Sequence, residues 1–320
     1  MATHPDARPL LADGKPLGAD RSDKERRHLL EGFLSPFRVE PGSAVRMPKD
    51  FPTDITQTVL TKQDGQWLLQ TGTRMLSDLQ AKLAAQDRYG LLVVLQAMDA
   101  AGKDGTIRHV MSGVNPQGVR VESFKIPSAE ELNHDYLWRY ARRLPARGEI
   151  GIFNRSHYEE LLVVRVHPEL LQRQHLPEDL AGKGIWKRRF RAVNDWERYL
   201  TDNGIRVVKI FLHVSQQEQA RRLLKRIDDP ARNWKFSPSD MHERDSWKAY
   251  MDAYSEVLSH TSTSWAPWYA LPADTKWFAR VGAAAVIVQS LLDIHPGYPK
   301  AAPEVIDELP RFREELSATA

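Results

Sequence analysis

The sequence predicts an α/β fold of three layers, a parallel sheet covered by helices on both faces. Three observations lead there. Apolar runs of strand length recur at 90–96, 119–124, 150–153 and 207–214, with a fifth at 268–271. Segments of helical periodicity separate them, at 105–112, 129–143, 187–203, 216–227, 241–261 and 276–294. The first run passes directly into a loop of small residues that ends in Gly102-Lys103.

Taken in order, 64–86 places Trp67, Leu68, Met75, Leu76, Leu79 and Leu83 at helical spacing. The run from Gly90 to Gln96 has no polar residue before its end, as a central strand buried on both faces requires. Strands alternating with helices imply a parallel sheet with right-handed crossovers. Ligands of such sheets sit at the carboxyl ends of the strands. That rule selects 96–106, 154–160 and the segment from 215. The apolar stretch 281–294 is too short to span a bilayer and reads as a buried helix.

Residues 1–22, rich in Pro, Gly, Asp and Ala, are expected to be a disordered leader, and 23–294 a single domain. Residues 295–320 carry Pro296, Pro299, Pro303 and Pro310 and are expected to be extended, with at most a short last turn of helix.

The chain has 45 Lys and Arg against 42 Asp and Glu, a net charge of +3, so any basic site must arise by local clustering. It contains no cysteine, which excludes disulfides, thiolate metal sites and cysteine nucleophiles. The first residues lack the basic-then-apolar layout of a signal peptide, and the expected location is the cytoplasm.

The segment Leu95-Gln-Ala-Met-Asp-Ala-Ala-Gly-Lys-Asp-Gly-Thr106 has the layout of a phosphate-binding loop. Backbone N–H groups from Ala101 to Thr106 and the start of a helix would wrap a phosphate. Lys103 would add a point charge. The match to G-x-x-x-x-G-K-[ST] is incomplete, because Ala97 replaces the first Gly and Asp104 replaces Ser or Thr. On the loop alone, a plain strand–turn–helix with a solvated Lys103 stays open. Asp99 inside the loop is the candidate magnesium anchor, since magnesium takes one or two carboxylates plus substrate phosphates. Asp104 is a second candidate, or a first-turn acid that complements the helix dipole.

At the end of the 150–153 strand stands Asn154-Arg-Ser-His-Tyr-Glu159. Asn154 can orient a ligand, Arg155 can neutralise a transferring phosphate, and Glu159 follows one turn later. A structural Arg155–Glu159 ion pair is the alternative. The segment 215–236 is basic: Arg222 and Arg226 share a helix face, Leu223, Leu224 and Ile227 are expected to pack opposite, and Lys235 follows in the loop. A charge run is usually a solvated face, but this one starts at the ligand end of a strand, where a lid around 215–240 would close over phosphates.

In order, Leu95–Arg108, Gly113–Val121, Asp135–Arg139, Phe153–Glu159, Asn233–Phe236 and Thr261–Tyr269 resemble the family-2 polyphosphate kinases. The resemblance implies a thymidylate-kinase-like P-loop fold with a helical lid, and reversible phosphoryl transfer between inorganic polyphosphate and purine nucleotides with Mg2+. It makes Asp99 the magnesium-binding acid, Lys103 the loop lysine and Arg155 the arginine after the second strand, with Arg226 and Lys235 in the lid. Glu159, where diphosphate-restricted members place Asn, implies the class that accepts both AMP and ADP, with guanine nucleotides also candidates. Many members have Asp where this chain has Asn154. The family further implies a homodimer or homotetramer, and neither a membrane nor a nucleic acid as partner. The alternatives carried forward are an ATP-dependent nucleotide kinase of the same fold and a non-catalytic polyanion binder.

Overall fold

A computed structural model describes residues 21–54 and 60–319 of the chain. In chain order the elements are α1 (Asp23–Leu34), α2 (Lys62–Gln86), β1 (Gly90–Ala97), α3 (Lys103–Val110), β2 (Val119–Ser123), α4 (Ala129–Leu132) and α5 (Trp138–Ala141). There follow β3 (Ile150–Asn154), α6 (Val163–Val166), α7 (Glu178–Ala181), α8 (Ile185–Asp202), β4 (Ile205–His213) and α9 (Gln216–Asp228). The chain continues through α10 (Pro238–Asp245), α11 (Trp247–Thr261), β5 (Trp268–Pro272), α12 (Lys276–Ile294) and α13 (Pro303–Ser317).

All five expected strands form, and they pair in parallel in the order β2-β3-β1-β4-β5. β1 lies at the centre, with Leu92 beside Gly151 of β3 on one side and Val207 of β4 on the other. Its apolar run is buried on both faces, as a central parallel strand demands. β2 is an edge strand and leaves Val121 exposed. The sheet reverses direction of growth at β1 and β3, so the crevice at their carboxyl ends is the ligand-binding position of an open α/β sheet.

Period-2 alternation along β4 sorts the covering helices. Arg206 meets Asp293 of α12 on one face, at 3.6 Å. Lys209 and Phe211 point to the other, where Phe211 stacks on Tyr254 of α11 with ring centroids 4.1 Å apart. Thus α1, α2 and α12 cover one face while α8 and α11 cover the other. α12 is the one helix among the described residues apolar and long enough to cross a membrane, but it is a core helix: Val286, Leu291 and Leu292 are buried against its neighbours.

Several elements depart from the sequence reading. The expected helix 129–143 is two short turns, because Asp135 accepts a hydrogen bond from Leu137 N–H and closes a turn between α4 and α5. The expected helix 241–261 starts earlier, at Pro238, and breaks at Ser246 into α10 and α11. α1 was not foreseen, although Ser22 and Glu25 form a capping box at its start. Of the expected leader 1–22, all but Arg21 and Ser22 lies outside the described residues. The tail is not extended: α13 occupies 15 of its residues. Pro303 stands in the first turn, where its missing N–H is harmless, and Ile306, Leu309, Phe312 and Leu316 make an exposed apolar stripe. Only Pro310 opposes the helix.

One buried polar network fixes the segment after β3. The Glu197 carboxylate of α8 accepts from Lys209 Nζ at 2.5 Å, from Tyr158 Oη at 2.9 Å and from His157 Nε2 at 3.1 Å. Lys209 also donates to Thr261 O at 2.6 Å. All four side chains are buried. Burial opposes charging of Glu197, but the Lys209 ammonium and the His157 bond outweigh it and hold the carboxyl below its usual range. Burial likewise lowers His157, which stays neutral. Removing Glu197 would leave a buried cation unpaired. We expect Glu197→Ala to lose about 3–5 kcal/mol in urea denaturation; a loss near the level of a surface substitution would show that the network does not hold this region together.

Candidate active site

The loop between β1 and α3 is shaped by where its carbonyls go. Lys103 Nζ donates to Ala97 O at 2.9 Å, and Gln219 Nε2 of α9 donates to Asp99 O at 3.0 Å. Arg222 Nη1 donates to Ala101 O at 2.6 Å and to Ala100 O at 3.3 Å. Four loop carbonyls are thereby engaged by side chains. A trans peptide points its N–H opposite its C=O, so Gly102 N–H is turned away from Arg222. Ala100 (φ 60°) and Gly102 (φ 109°) take the left-handed conformations that the wrap needs. Lys103 opens α3, and the helix start presents further N–H groups to an anion.

Opposite the loop, β3 ends in Asn154 and Arg155. Arg155 has φ 64°, an uncommon conformation for a side-chain-bearing residue, costing about 1–3 kcal/mol. Its guanidinium is held between two carboxylates: Nη2 donates to Asp99 Oδ1 at 2.7 Å and Nη1 to Glu159 Oε2 at 3.0 Å. Gln96 Nε2, at the end of β1, donates to Glu159 Oε1 at 3.1 Å. Glu159, with Asp99 adding and burial opposing, raises Arg155 above its already high range, so it is a permanent cation. Burial and the neighbouring Arg155 push Lys103 down to about 8, against the pull of Asp99, Glu159 and Asp104. Asn154 Nδ2 donates to Asp104 Oδ1 at 2.8 Å, and its Oδ1 is a buried acceptor without a partner.

The fold therefore brings Asp99, Lys103, Asp104, Asn154, Arg155 and Glu159 to one crevice, with Ala101, Gly102 and Gly105 in the loop and helix start. Thr106 is buried within α3. The lid residues behave differently. Arg222 was expected to face an anion, but it is buried. Its Nε binds Glu218 at 2.7 Å, and Nη2 binds Ala273 O at 2.5 Å and Asp274 O at 3.0 Å. With Nη1 on the loop, its donors are spent. The apolar side of α9 is also not as expected: Leu223 is buried, but Leu224 and Ile227 are exposed. The inner face of α9 is the one that supplies Gln219 and Arg222 to bare carbonyls, not the one richest in leucine. Arg226 and Lys235 lie together further out, Arg226 Nη1 reaching Lys235 O at 3.3 Å and Lys235 lying over the Trp234 ring. Gln96 and Gln219 escaped the sequence reading; the sole sign of Gln96 is a polar residue closing an apolar strand.

A central parallel sheet, a left-handed loop that leads through Gly102-Lys103 into a helix, and an arginine at the end of the adjoining strand define a P-loop phosphotransferase. Residues 59–296 match the family model of polyphosphate kinase 2. The chain is 50% identical over 281 residues, 88% of its length and 97% of the relative's, to an ADP-polyphosphate phosphotransferase of Rhodopseudomonas palustris. It is 41% identical over 275 residues, 86% of its length and 98% of the relative's, to an AMP/ADP-polyphosphate phosphotransferase of Meiothermus ruber. The crystal structure of polyphosphate kinase 2 from Arthrobacter aurescens superposes with a TM-score of 0.75 at 38% identity, covering 87% of this chain and 98% of that one. The chain belongs to the polyphosphate kinase 2 family, and it is a polyphosphate:nucleotide phosphotransferase.

A lysine that binds phosphate does so as a cation, and kcat/KM reports ionisations of the free enzyme. With Lys103 at about 8, its charge is present below that pH and lost above it. We expect kcat/KM for polyphosphate to fall as pH rises through this range, in steady-state assays across pH. Lys103→Arg, whose cation does not titrate there, is expected to abolish that limb whatever its effect on rate.

Proposed function

We propose that the enzyme accepts both nucleoside monophosphates and diphosphates, taking AMP to ADP and ADP to ATP at the expense of polyphosphate, and that the transfer is reversible. The observation that carries this reading is Glu159 in the Asn154–Glu159 segment, bound to Arg155 and Gln96 at the crevice. The Meiothermus ruber relative, named for both AMP and ADP, supports it.

A non-bridging oxygen of the acceptor phosphate attacks the terminal phosphorus of polyphosphate. The bond from that phosphorus to the bridging oxygen breaks, and the shortened chain leaves with the electron pair. The acceptor oxygen is already anionic at neutral pH, so no general base is needed; what the protein supplies is position and neutralisation of spread charge. Lys103 and the loop amides hold the phosphoryl group, and Arg155 meets the charge from the opposite side. Both cations now rest on replaceable partners, Lys103 on Ala97 O and Arg155 on Asp99 and Glu159.

No group of three or more His, Cys, Asp and Glu side chains forms a metal cage among the described residues. The donor set fits magnesium, which takes few carboxylates plus substrate phosphates. Asp99 would hold it, and Asp104 and the unpartnered Asn154 Oδ1 would orient its waters. When bound there, magnesium would supply neutralisation of charge on phosphate oxygens.

Incubation with AMP and polyphosphate, without ATP, tests the reading. ADP followed by ATP is expected; ATP from ADP but no product from AMP would reject monophosphate use. Glu159→Asn is expected to lower kcat/KM for AMP more than for ADP. Lys103→Ala is expected to reduce kcat by about 10²–10³, the scale of losing one preorganised charge donor; near-normal turnover would remove Lys103 from the site.

A further inference from the structure

Gln219 is buried on the inner face of α9, and its side-chain amide is used at both ends. Nε2 donates to Asp99 O in the phosphate loop at 3.0 Å. Oε1 accepts from Arg244 Nη1, at the end of α10, at 2.6 Å. The chemistry allows one orientation alone. A guanidinium only donates and a peptide carbonyl only accepts, so Oε1 must face Arg244 and Nε2 must face Asp99. Turned over, the same amide would set N–H against guanidinium and oxygen against carbonyl, and leave buried polar groups without partners.

Arg244 is itself held. Its Nη1 also donates to Gln216 O at 3.1 Å, and the side chain is half-buried. Its neighbour Glu243 accepts from Tyr250 Oη of α11 at 2.5 Å and pairs with His167 Nε2, after α6, at 3.1 Å. The end of α10 is therefore seated on α9, on α11 and on the segment after α6. Docking of α10 alone would need only the bond to Gln216 O. The short charge-assisted bond to Oε1 does more, because it decides which end of the Gln219 amide meets the loop. The loop receives a donor on Asp99 O, and the Asp99 carboxylate in turn holds Arg155 Nη2 at 2.7 Å. Gln219 thus fixes the backbone of the residue that anchors the arginine across the crevice.

We propose that Arg244 is a positioning residue for phosphoryl transfer. It touches no reacting atom. It orients Gln219, which holds Asp99 and through it Arg155, so the seating of α10 is coupled to the phosphate loop. The proposal rests on the reading of this crevice as the site of transfer. Direct contact with the anion is the role a basic residue near a phosphate loop suggests first, but Arg244 Nη1 is spent on two protein oxygens. Its effect therefore falls on the transfer step and not on the holding of polyphosphate. A misplacement of about 1 Å caused from outside the reacting centre is enough for a loss of about 10²-fold in rate.

The test is a double-mutant cycle on kcat and on KM for polyphosphate, at saturating ADP, with a thermal melt of each protein. Arg244→Met removes the donor and Gln219→Met removes the amide. Gln219→Glu keeps an acceptor for Arg244 but takes the donor away from Asp99 O. Each single variant is expected to lose about tenfold in kcat, the scale of one oriented hydrogen bond, with KM for polyphosphate little changed. The double variant Arg244→Met, Gln219→Met is expected to lose no more than the worse single variant, since the two residues act in series. Lys248→Met, which removes an exposed cation of α11, is expected to leave kcat as it is. Gln219→Glu decides the matter even where Arg244→Met folds poorly, because its carboxylate still accepts from Arg244 and keeps α10 seated. Multiplicative losses in the cycle, full kcat in Gln219→Glu, or a rise in KM for polyphosphate at unchanged kcat in Arg244→Met would overturn the proposal. The last of these would make Arg244 a contact to the anion. Lys103→Ala with near-normal turnover would instead remove the crevice from the reaction and the proposal with it, whereas a failed cycle leaves the crevice reading intact.

Discussion

The site depends on the hydrogen bonds that engage the carbonyls of the loop after β1. Ala97, Asp99, Ala100 and Ala101 each give their oxygen to a side chain, from Lys103, Gln219 and Arg222. A five-residue loop with free carbonyls would present alternating dipoles to an anion. With these oxygens engaged by side chains, the loop is held in one conformation that needs no reorganisation when an anion arrives. Arg222 also ties the loop to the end of β5 through Ala273 and Asp274, so one guanidinium joins three segments.

The same logic extends across the crevice. Arg155 adopts a strained backbone because the end of β3 must aim its side chain back toward β1. Behind it, the Glu197 carboxylate binds His157, Tyr158 and the buried Lys209 directly and so fixes the segment that follows Arg155. The two cations at the crevice are thus fixed in backbone and exchangeable in partner. Lys103 rests on neutral carbonyls and Arg155 on two carboxylates, each a partner that an incoming phosphate or cation can replace.

Much of this was legible in the chain. The strand pattern carried the whole sheet, because strands buried on both faces leave continuous apolar runs, and the central strand's carboxyl end placed the loop. Asp99, Lys103, Arg155 and Glu159 could be named from position alone and do converge. Arg222 could be named but not understood. Its charge suggested an anion partner, whereas its surroundings turn it onto backbone oxygens. Leu224 and Ile227 misled for a related reason: helical spacing shows that a face exists, but the neighbour decides whether that face is covered. Gln96, Gln219 and Arg244 carried no local signal, since neutral amides and single cations are common on any surface.

By itself, then, the sequence determined the layer architecture, the phosphate loop and the charged residues at the strand ends, since these follow from periodicity and strand-terminal position. Only the tertiary structure decided which cations line the crevice and which brace the loop. It also decided that 303–317 is helical and that α3 packs against α12. Those are questions of which side chains from distant segments meet, and distance along the chain holds no record of that.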